Sequence, residues 1–353
     1  MTITSVRTHR VSAPFHTPFV TALRRATTAE SLLVEIVDSD GRAGIGEAPQ
    51  VWQVTGASIA GSQACVEEVF APLLLHQDPD DLVTLCRKVA KAVVGNESAK
   101  CAVDVALHDL AARRLGVPLA RLLGGARLAV PTDVTLSAGE PDELAKAATD
   151  RIAEGFTVLK LKVGTDAAGD LGRIRAVRRA AGPGVTIRLD ANQGWTPREA
   201  VRIINGLADL AIELVEQPVK RHDLDGLAYV TQMTDIPILA DESVFTVREL
   251  TEVIKRRAAD MVNVKLAKCG GLSAARTLLE LAREHDMGTC VGSMMETSVG
   301  VGAAASLVAA QPTTLVSDLD AAWWLASSPL KGGPTYHQGV LTLQDQPGLG
   351  VEL

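Results

Sequence analysis

The chain has 353 residues, which suits one large barrel or a pair of domains. Hydrophobic residues make up 47% and charged residues 22%, an ordinary globular balance that excludes disorder and collagen-like structure. A formal net charge of −7 argues against a nucleic-acid partner or an anionic membrane surface, since both require a basic excess.

The N-terminus has no basic start followed by an apolar block, and no apolar run reaches the ~18 residues of a spanning helix. Neither a signal peptide nor a membrane span is expected. Thr2–Ala13 and Ser31–Val37 are extended and β-branched, and Asp40-Gly41 is a hairpin turn into Ala43–Glu47. These predict a three-stranded meander. Between its first two strands the sequence predicts a long polar loop, Pro14–Glu30, carrying Arg24 and Arg25. From Ser58 to Leu123 the pattern is helical. In Ala99–Leu115 the apolar residues Ala102, Val103, Ala106, Leu107, Leu110 and Leu115 have the three-and-four spacing of one buried face. Gly124-Gly125 then punctuates the chain. An α+β domain is therefore expected over residues 1–125.

Beyond that boundary come eight short apolar runs: Val130–Leu136, Val158–Val163, Val185–Leu189, Ala211–Val215, Ile236–Leu239, Met261–Leu266, Thr289–Val291 and Thr313–Val316. Each of the first seven precedes a helical stretch, for example Asp142–Glu154, Pro197–Leu207, Val247–Arg257 and Ser273–Glu284. Repeated βα units predict an α/β fold, a (β/α)8-type (modified TIM) barrel over residues 126–325. An open doubly wound sheet is disfavoured, because no Gly-rich phosphate turn follows the first strand. The polar tail, residues 326–353, is expected to return to the N-terminal domain. Cys65, Cys86, Cys101, Cys269 and Cys290 are odd in number and scattered, which reads as reduced thiols in a cytoplasmic protein.

Polar residues end these strands: Thr135, then Lys160 and Lys162, then Asp190, Glu216, Asp241, Lys265, Ser293 and Asp318. In a TIM barrel all of them reach one mouth, where the catalytic residues of that fold sit. One strand-end charge is ordinarily just solvated; six in consecutive units are not explained that way. Asp190, Glu216 and Asp241 come from adjacent strands and need a compensating cation. Oxygen ligands without His or Cys point to one Mg²⁺. Lys160 and Lys162 share a strand face. Lys265 has three strands between it and the second, so it stands opposite. A lysine near an ammonium and a divalent cation loses its proton more easily. Lys162 on one side and Lys265 on the other thus suit inversion of a stereocentre next to a metal-held carboxylate, with Lys160 remaining cationic.

Leu159-Lys160-Leu161-Lys162-Val163-Gly164, Asp190-Ala191-Asn192-Gln193-Gly194-Trp195, Glu216-Gln217-Pro218, Asp241-Glu242-Ser243 and Asn263-Val264-Lys265 together resemble the enolase superfamily, in the branch of the muconate lactonizing enzymes. The resemblance spans essentially the whole chain and implies an N-terminal capping domain and abstraction of a proton α to a Mg²⁺-bound carboxylate. Within this branch the Asp318-Leu319-Asp320 pattern resembles the dipeptide epimerases, where the pair binds a dipeptide's free ammonium. Ala22-Leu23-Arg24, with Val54-Thr55-Gly56, resembles the L-Ala-D/L-Glu type, where the loop arginine pairs with the acidic side chain; Arg25 beside it leaves the choice of arginine open. Ser293-Met294-Met295-Glu296 also matches, implying backbone contacts to the dipeptide. The expected partner is a small dipeptide, plausibly from murein turnover, and a homo-oligomer stays open. Two other readings remain: an N-succinylamino acid racemase or o-succinylbenzoate synthase, and a non-catalytic binding protein on the same scaffold.

Overall fold

The computed structural model covers residues 1–353. Its first sheet is an antiparallel meander of β1 (Ile3–Val20), β2 (Arg25–Asp38) and β3 (Ala43–Pro49). The stretch predicted as a loop, Pro14–Glu30, is instead the far half of the β1–β2 hairpin. Its register shifts between Pro14 and Phe19, then resumes at Phe19 opposite Ala26 and Val20 opposite Arg25. Pro14 and Pro18 look like strand breakers in the sequence, but an irregular edge stretch tolerates residues without an N–H. Phe15 and Phe19 still bury their rings. At the tip the Thr21 N–H donates to Arg24 O at 2.9 Å, so Arg24 sits in a tight turn.

The helices that follow are α1 (Ile59–Ala64), continued by a π-helical turn at Cys65–Phe70, α2 (Ala71–Leu74), α3 (Leu82–Ala92), α4 (Glu97–Leu115) and α5 (Leu119–Leu122). α4 lies almost directly on β3. A Cβ at Gly46 would stand 1.9 Å from Ala102 O, so only glycine allows this approach.

β4 (Ala129–Pro131) leads into β5 (Val134–Leu136), α6 (Pro141–Ala153), β6 (Val158–Lys162), α7 (Asp170–Ala181), β7 (Thr186–Asp190), α8 (Pro197–Asn205) and β8 (Ile212–Glu216). Then come α9 (Leu224–Gln232), β9 (Ile238–Ala240), α10 (Val247–Arg256), β10 (Met261–Lys265), α11 (Leu266–Cys269), α12 (Leu272–Glu284), β11 (Gly288–Gly292) and α13 (Ser298–Ala310). Strands β5 to β11 pair in sequence order as one parallel sheet. Thr196 with Glu199, and Thr246 with Glu249, close reciprocal capping boxes that start α8 and α10.

Two expectations need correction. The run Val130–Leu136 splits: β4 pairs outside the barrel, and only Val134–Leu136 enters it. The eighth strand, predicted at Thr313–Val316, does not form. Hydroxyls stand in for part of the ladder: Thr313 Oγ1 donates within the segment to Leu315 O at 2.7 Å, and Thr314 Oγ1 lies 3.3 Å from Thr289 Oγ1 on β11. The barrel closes instead through single bridges, Thr132 to Ser317 and Gly292 to Asp318. Asp318 N donates to Val291 O at 2.9 Å, Ser293 N to Asp318 O at 3.0 Å and Leu319 N to Thr132 Oγ1 at 3.0 Å.

After a 3-10 turn at Ala321–Trp324, the tail forms β12 (Lys331–Gly332), β13 (Thr335–His337), β14 (Val340–Thr342) and β15 (Val351–Glu352). β14 pairs with β4, while Gly348 N donates to Val117 O at 2.9 Å and Arg113 Nη2 to Val351 O at 2.7 Å. A second joint is buried. Glu47 of β3 accepts from Thr297 N, Thr297 Oγ1 and Gly300 N at 2.6–3.1 Å, capping α13 from another sheet. All five cysteines are buried and unpaired, and no helix is long and apolar enough to cross a membrane.

Candidate active site

The carboxyl ends of β6, β7 and β8 are in register, Lys162 beside Asp190 and Asp190 beside Glu216, with Asp241 just past β9 and Lys265 ending β10. All these side chains are buried. The three carboxylates share a pattern: one oxygen of each is anchored by the protein. Asp190 Oδ1 accepts from Asn192 N at 2.9 Å, Glu216 Oε1 from Asn263 Nδ2 at 2.9 Å, and Asp241 Oδ1 from Lys268 Nζ at 2.5 Å. The other oxygen of each meets only ammonium groups. Asp190 Oδ2 lies 2.6 Å from Lys162 Nζ and 3.1 Å from Lys160 Nζ, Glu216 Oε2 2.6 Å from Lys160 Nζ, and Asp241 Oδ2 2.8 Å from Lys265 Nζ.

Electrostatics follow from that layout. Burial alone would raise all three carboxyls; the lysines around Asp190 outweigh it and hold that group at about 2. Lys265 and Lys268 likewise hold Asp241 far below the usual range. Glu216, buried against Asp190, is pushed up to about 7 despite Lys160. Lys160 contacts Asp190, Glu216 and, at 2.7 Å, Asp318; these outweigh its burial and keep it protonated. Asp241 raises Lys265 against the same burial cost. Lys160 is therefore fully occupied by three carboxylates, whereas Lys162 and Lys265 each have one.

The donor set fits a hard divalent cation. Each of the three carboxylates keeps one oxygen that meets only ammonium groups, no His or Cys is among them, and Asn192 Oδ1 and Glu242 Oε2 lie buried beside them without partners. The charge count agrees: six buried carboxyl groups, Asp190, Glu216, Asp241, Glu242, Asp318 and Asp320, stand against four buried lysines, Lys160, Lys162, Lys265 and Lys268.

Above this floor is a cavity lined by Phe19, Thr21, Leu23, Arg24 and Val54 from the N-terminal part, and by Thr135, Lys162, Asn192, Asp241, Glu242, Lys265, Ser293, Met294, Met295, Asp318 and Asp320 from the barrel. Lys160, Asp190 and Glu216 lie beneath it. The structure thus gathers all twelve residues singled out in the sequence, and it separates the two arginines. Arg24 lines this cavity, whereas Arg25 lines a different one with Lys146, Asp150 and Arg151. Arg24 is lowered to about 10 by burial alone, with no anion beside it.

Asp320 Oδ2 accepts from Thr135 N at 2.7 Å and Trp324 Nε1 at 3.0 Å, which leaves Oδ1 free; Asp318 Oδ2 is held by Lys160, which leaves its Oδ1 free as well. Lys160 holds Asp318 low against the cost of burial, while burial and Asp318 raise Asp320. Ser293 N and Met294 N are already used, by Asp318 O and Glu296 Oε1, so neither of these two is left for a ligand. Met295 packs with Phe15, Phe19 and Trp324 as an apolar wall.

Sequence reasoning missed Lys268, Asn263, Asn192 and Glu242. The last three stand inside the quoted Asn-Val-Lys, Asp-Ala-Asn and Asp-Glu motifs, which was the available signal. Elsewhere, Cys86, Asp104 and His108 bring ligand-type atoms within 4.8 Å of one another. Asp104 is already used by Ser273 Oγ at 2.6 Å and Ser273 N at 3.2 Å, and His108 Nδ1 by Asp104 O at 2.7 Å. That cluster joins α4 to the start of α12.

A family profile described as mandelate racemase/muconate lactonizing enzyme, N-terminal domain, matches residues 3–124, and one described as enolase C-terminal domain-like matches residues 143–353. The chain belongs to the mandelate racemase/muconate lactonizing enzyme family of the enolase superfamily. Within it, the chain is 42% identical to an L-Ala-D/L-Glu epimerase of Bacillus subtilis (strain 168) over 99% of its own length and 97% of the relative's. A substrate-liganded structure of an L-Ala-D/L-Glu epimerase from Bacillus subtilis superposes with a TM-score of 0.96, covering 99% of both chains. A dipeptide epimerase from Enterococcus faecalis V583, complexed with Mg and L-Leu-L-Tyr, also gives 0.96 at 37% identity over the full length of both. An N-succinyl-L-Arg/Lys racemase of Bacillus cereus is 31% identical over 100% of this chain and 96% of the relative.

Proposed function

We propose that this chain is a Mg²⁺-dependent dipeptide epimerase that inverts the α-carbon of a dipeptide's C-terminal residue, preferring L-Ala-D/L-Glu-type substrates. The observation that carries the reading is the order of charges along the cavity. At one end stand two free carboxylate oxygens, Asp318 Oδ1 and Asp320 Oδ1. In the middle are three inward oxygens flanked by two lightly partnered lysines, and on the cap stands an arginine with no anion. A zwitterionic dipeptide with an acidic side chain answers all three.

Asp190, Glu216 and Asp241 would hold one Mg²⁺, which supplies charge to stabilise a substrate carboxylate as its α-proton leaves. Lys162 removes the proton on one face and Lys265 returns one on the other, or the reverse for the opposite enantiomer. Each has a single carboxylate partner, against three for Lys160, and lines the cavity where the α-carbon would sit. Lys160, with three, remains a fixed cation next to the developing enediolate oxygens. Asp318 and Asp320 take the ammonium, and Thr135 and Trp324 fix the Asp320 carboxylate. Arg24 takes the acidic side chain bidentately. Ser293 and Met295 shape the wall.

In this reading residues 1–125 and the tail 326–353 form the cap, and residues 126–325 the catalytic barrel. The buried free thiols suit a cytoplasmic enzyme, where murein-derived dipeptides are salvaged. An N-succinylamino acid racemase or o-succinylbenzoate synthase acts on substrates without a free α-ammonium, the group to which the proposed reading assigns the two free aspartate oxygens. The test is incubation of L-Ala-L-Glu and its N-acetyl derivative with the enzyme and Mg²⁺ in D₂O. Deuterium should enter the Glu α-position of the free dipeptide with inversion. Exchange only into the acetylated compound would make the chain an acylamino acid racemase instead.

A further inference from the structure

Lys268 is the fourth buried lysine at the barrel mouth, only 1% exposed on α11. Its Nζ donates to Asp241 O and Asp241 Oδ1, both at 2.5 Å, and to Asn263 O at 3.0 Å. Three donors meet three acceptors, so it has nothing left for a ligand. Lys265, three residues earlier, also contacts Asp241, but through the inward oxygen Oδ2. The two lysines thus divide one carboxylate between them, and Lys268 holds the side turned away from the cavity. A cation there has two opposed effects on a divalent ion: its charge repels the ion, and its bonds fix the carboxylate with one oxygen presented. An aspartate has a broad terminal torsion, so fixing it matters.

We propose that Lys268 is a positioning residue in which the second effect prevails. It clamps Asp241 between the ends of β9 and β10 in the orientation a divalent cation requires, as groups behind a metal's ligands do elsewhere. The inference rests on the metal site proposed above and goes beyond it, because it reverses the sign expected from charge alone. Removing a lysine next to a cation site should tighten cation binding. Removing this one should loosen it.

The experiment measures Mn²⁺ binding by electron paramagnetic resonance to metal-free wild type, K265M, K268M and K268Q, with thermal melts on each. K265M should bind Mn²⁺ as tightly as wild type or more tightly. K268M should bind about 10–100-fold more weakly, although it too has lost a positive charge, and K268Q should fall between. Binding by K268M equal to or tighter than wild type overturns the proposal. So does loss of the folded state in both Lys268 variants, which would make the residue a structural strut. Failure of wild type to bind Mn²⁺ would instead sink the metal reading on which the proposal stands.

Discussion

Replacing Arg24 by Met tests the specificity of the site and should affect acidic substrates alone. The guanidinium has no carboxylate partner, and burial by itself lowers its pKa to about 10, so it stays a cation throughout the working pH range. A substrate carboxylate that fills that gap makes a charge-assisted contact of about 1.5–3 kcal/mol, which is roughly tenfold to a hundredfold in kcat/KM. Met keeps the apolar stem packed near Leu23 and Val54. The assay is kcat/KM for L-Ala-L-Glu and L-Ala-L-Ala in wild type and R24M. The Glu dipeptide should lose that factor, and the Ala dipeptide should change by less than about twofold. R24K keeps the charge but not the fork, and should lie between. An equal fall for both substrates would refute the contact and leave Arg24 as part of the hairpin tip. A preference for Glu that fades between pH 6 and pH 8 would refute it too, because a cation with a pKa of about 10 keeps its proton there.

K162A and K265A should each abolish epimerisation but retain α-proton exchange with solvent from one enantiomer, opposite in the two variants; NMR in D₂O reads this, and equal residual epimerisation in both contradicts a two-base scheme. E216Q removes one charge from the carboxylate trio and should raise the Mg²⁺ concentration needed for half-activity at least tenfold, on the scale of lost metal-site interactions, whereas normal activity at low Mg²⁺ would displace Glu216 from the ligand set. Glu296 is raised to about 8 by burial and by Glu47. Its proton stays on in the folded state and leaves the unfolded state near 4.5, so its contribution is complete below that value and is lost as pH rises toward 8. Urea denaturation from pH 5 to pH 8 should therefore show wild type losing stability relative to E296Q by on the order of a few kcal/mol; parallel curves would show that Glu296 ionises normally.

The repeating βα period and the strand-end charges were legible because each depends on residues close in sequence. Asp190, Glu216 and Asp241 announce themselves one per unit. Lys-x-Lys works the same way, since a strand's two-residue repeat needs no tertiary information. What escaped was non-local. Lys268 reads as an ordinary helix lysine until β9 and β10 are side by side. Glu47 reads as a hairpin carboxylate until α13 arrives 250 residues later in sequence to be capped. The hairpin arms were misread for a different reason: Pro14 and Pro18 carry a strong local signal against strand, and an irregular register absorbs them. The Thr313–Val316 run failed in the opposite sense, with β-branched residues whose hydroxyls bond within the segment and to a side chain of β11 in place of a full backbone ladder.

That missing eighth strand bears on how the enzyme can change. Inside a hydrogen-bonded ladder, one inserted residue turns every later side chain to the wrong face. Asp318 and Asp320 ride on a seam stitched by a few single hydrogen bonds, so an insertion or a swap between Thr313 and Leu325 need not disturb the register of β5 to β11. On the proposed reading, the groups that take the ligand's ammonium touch the strand that carries Lys162 through an ion pair, Lys160 to Asp318 at 2.7 Å, rather than through a shared ladder. Selection can rewrite which amino terminus is accepted, in length, charge or bulk, while the proton chemistry is inherited intact.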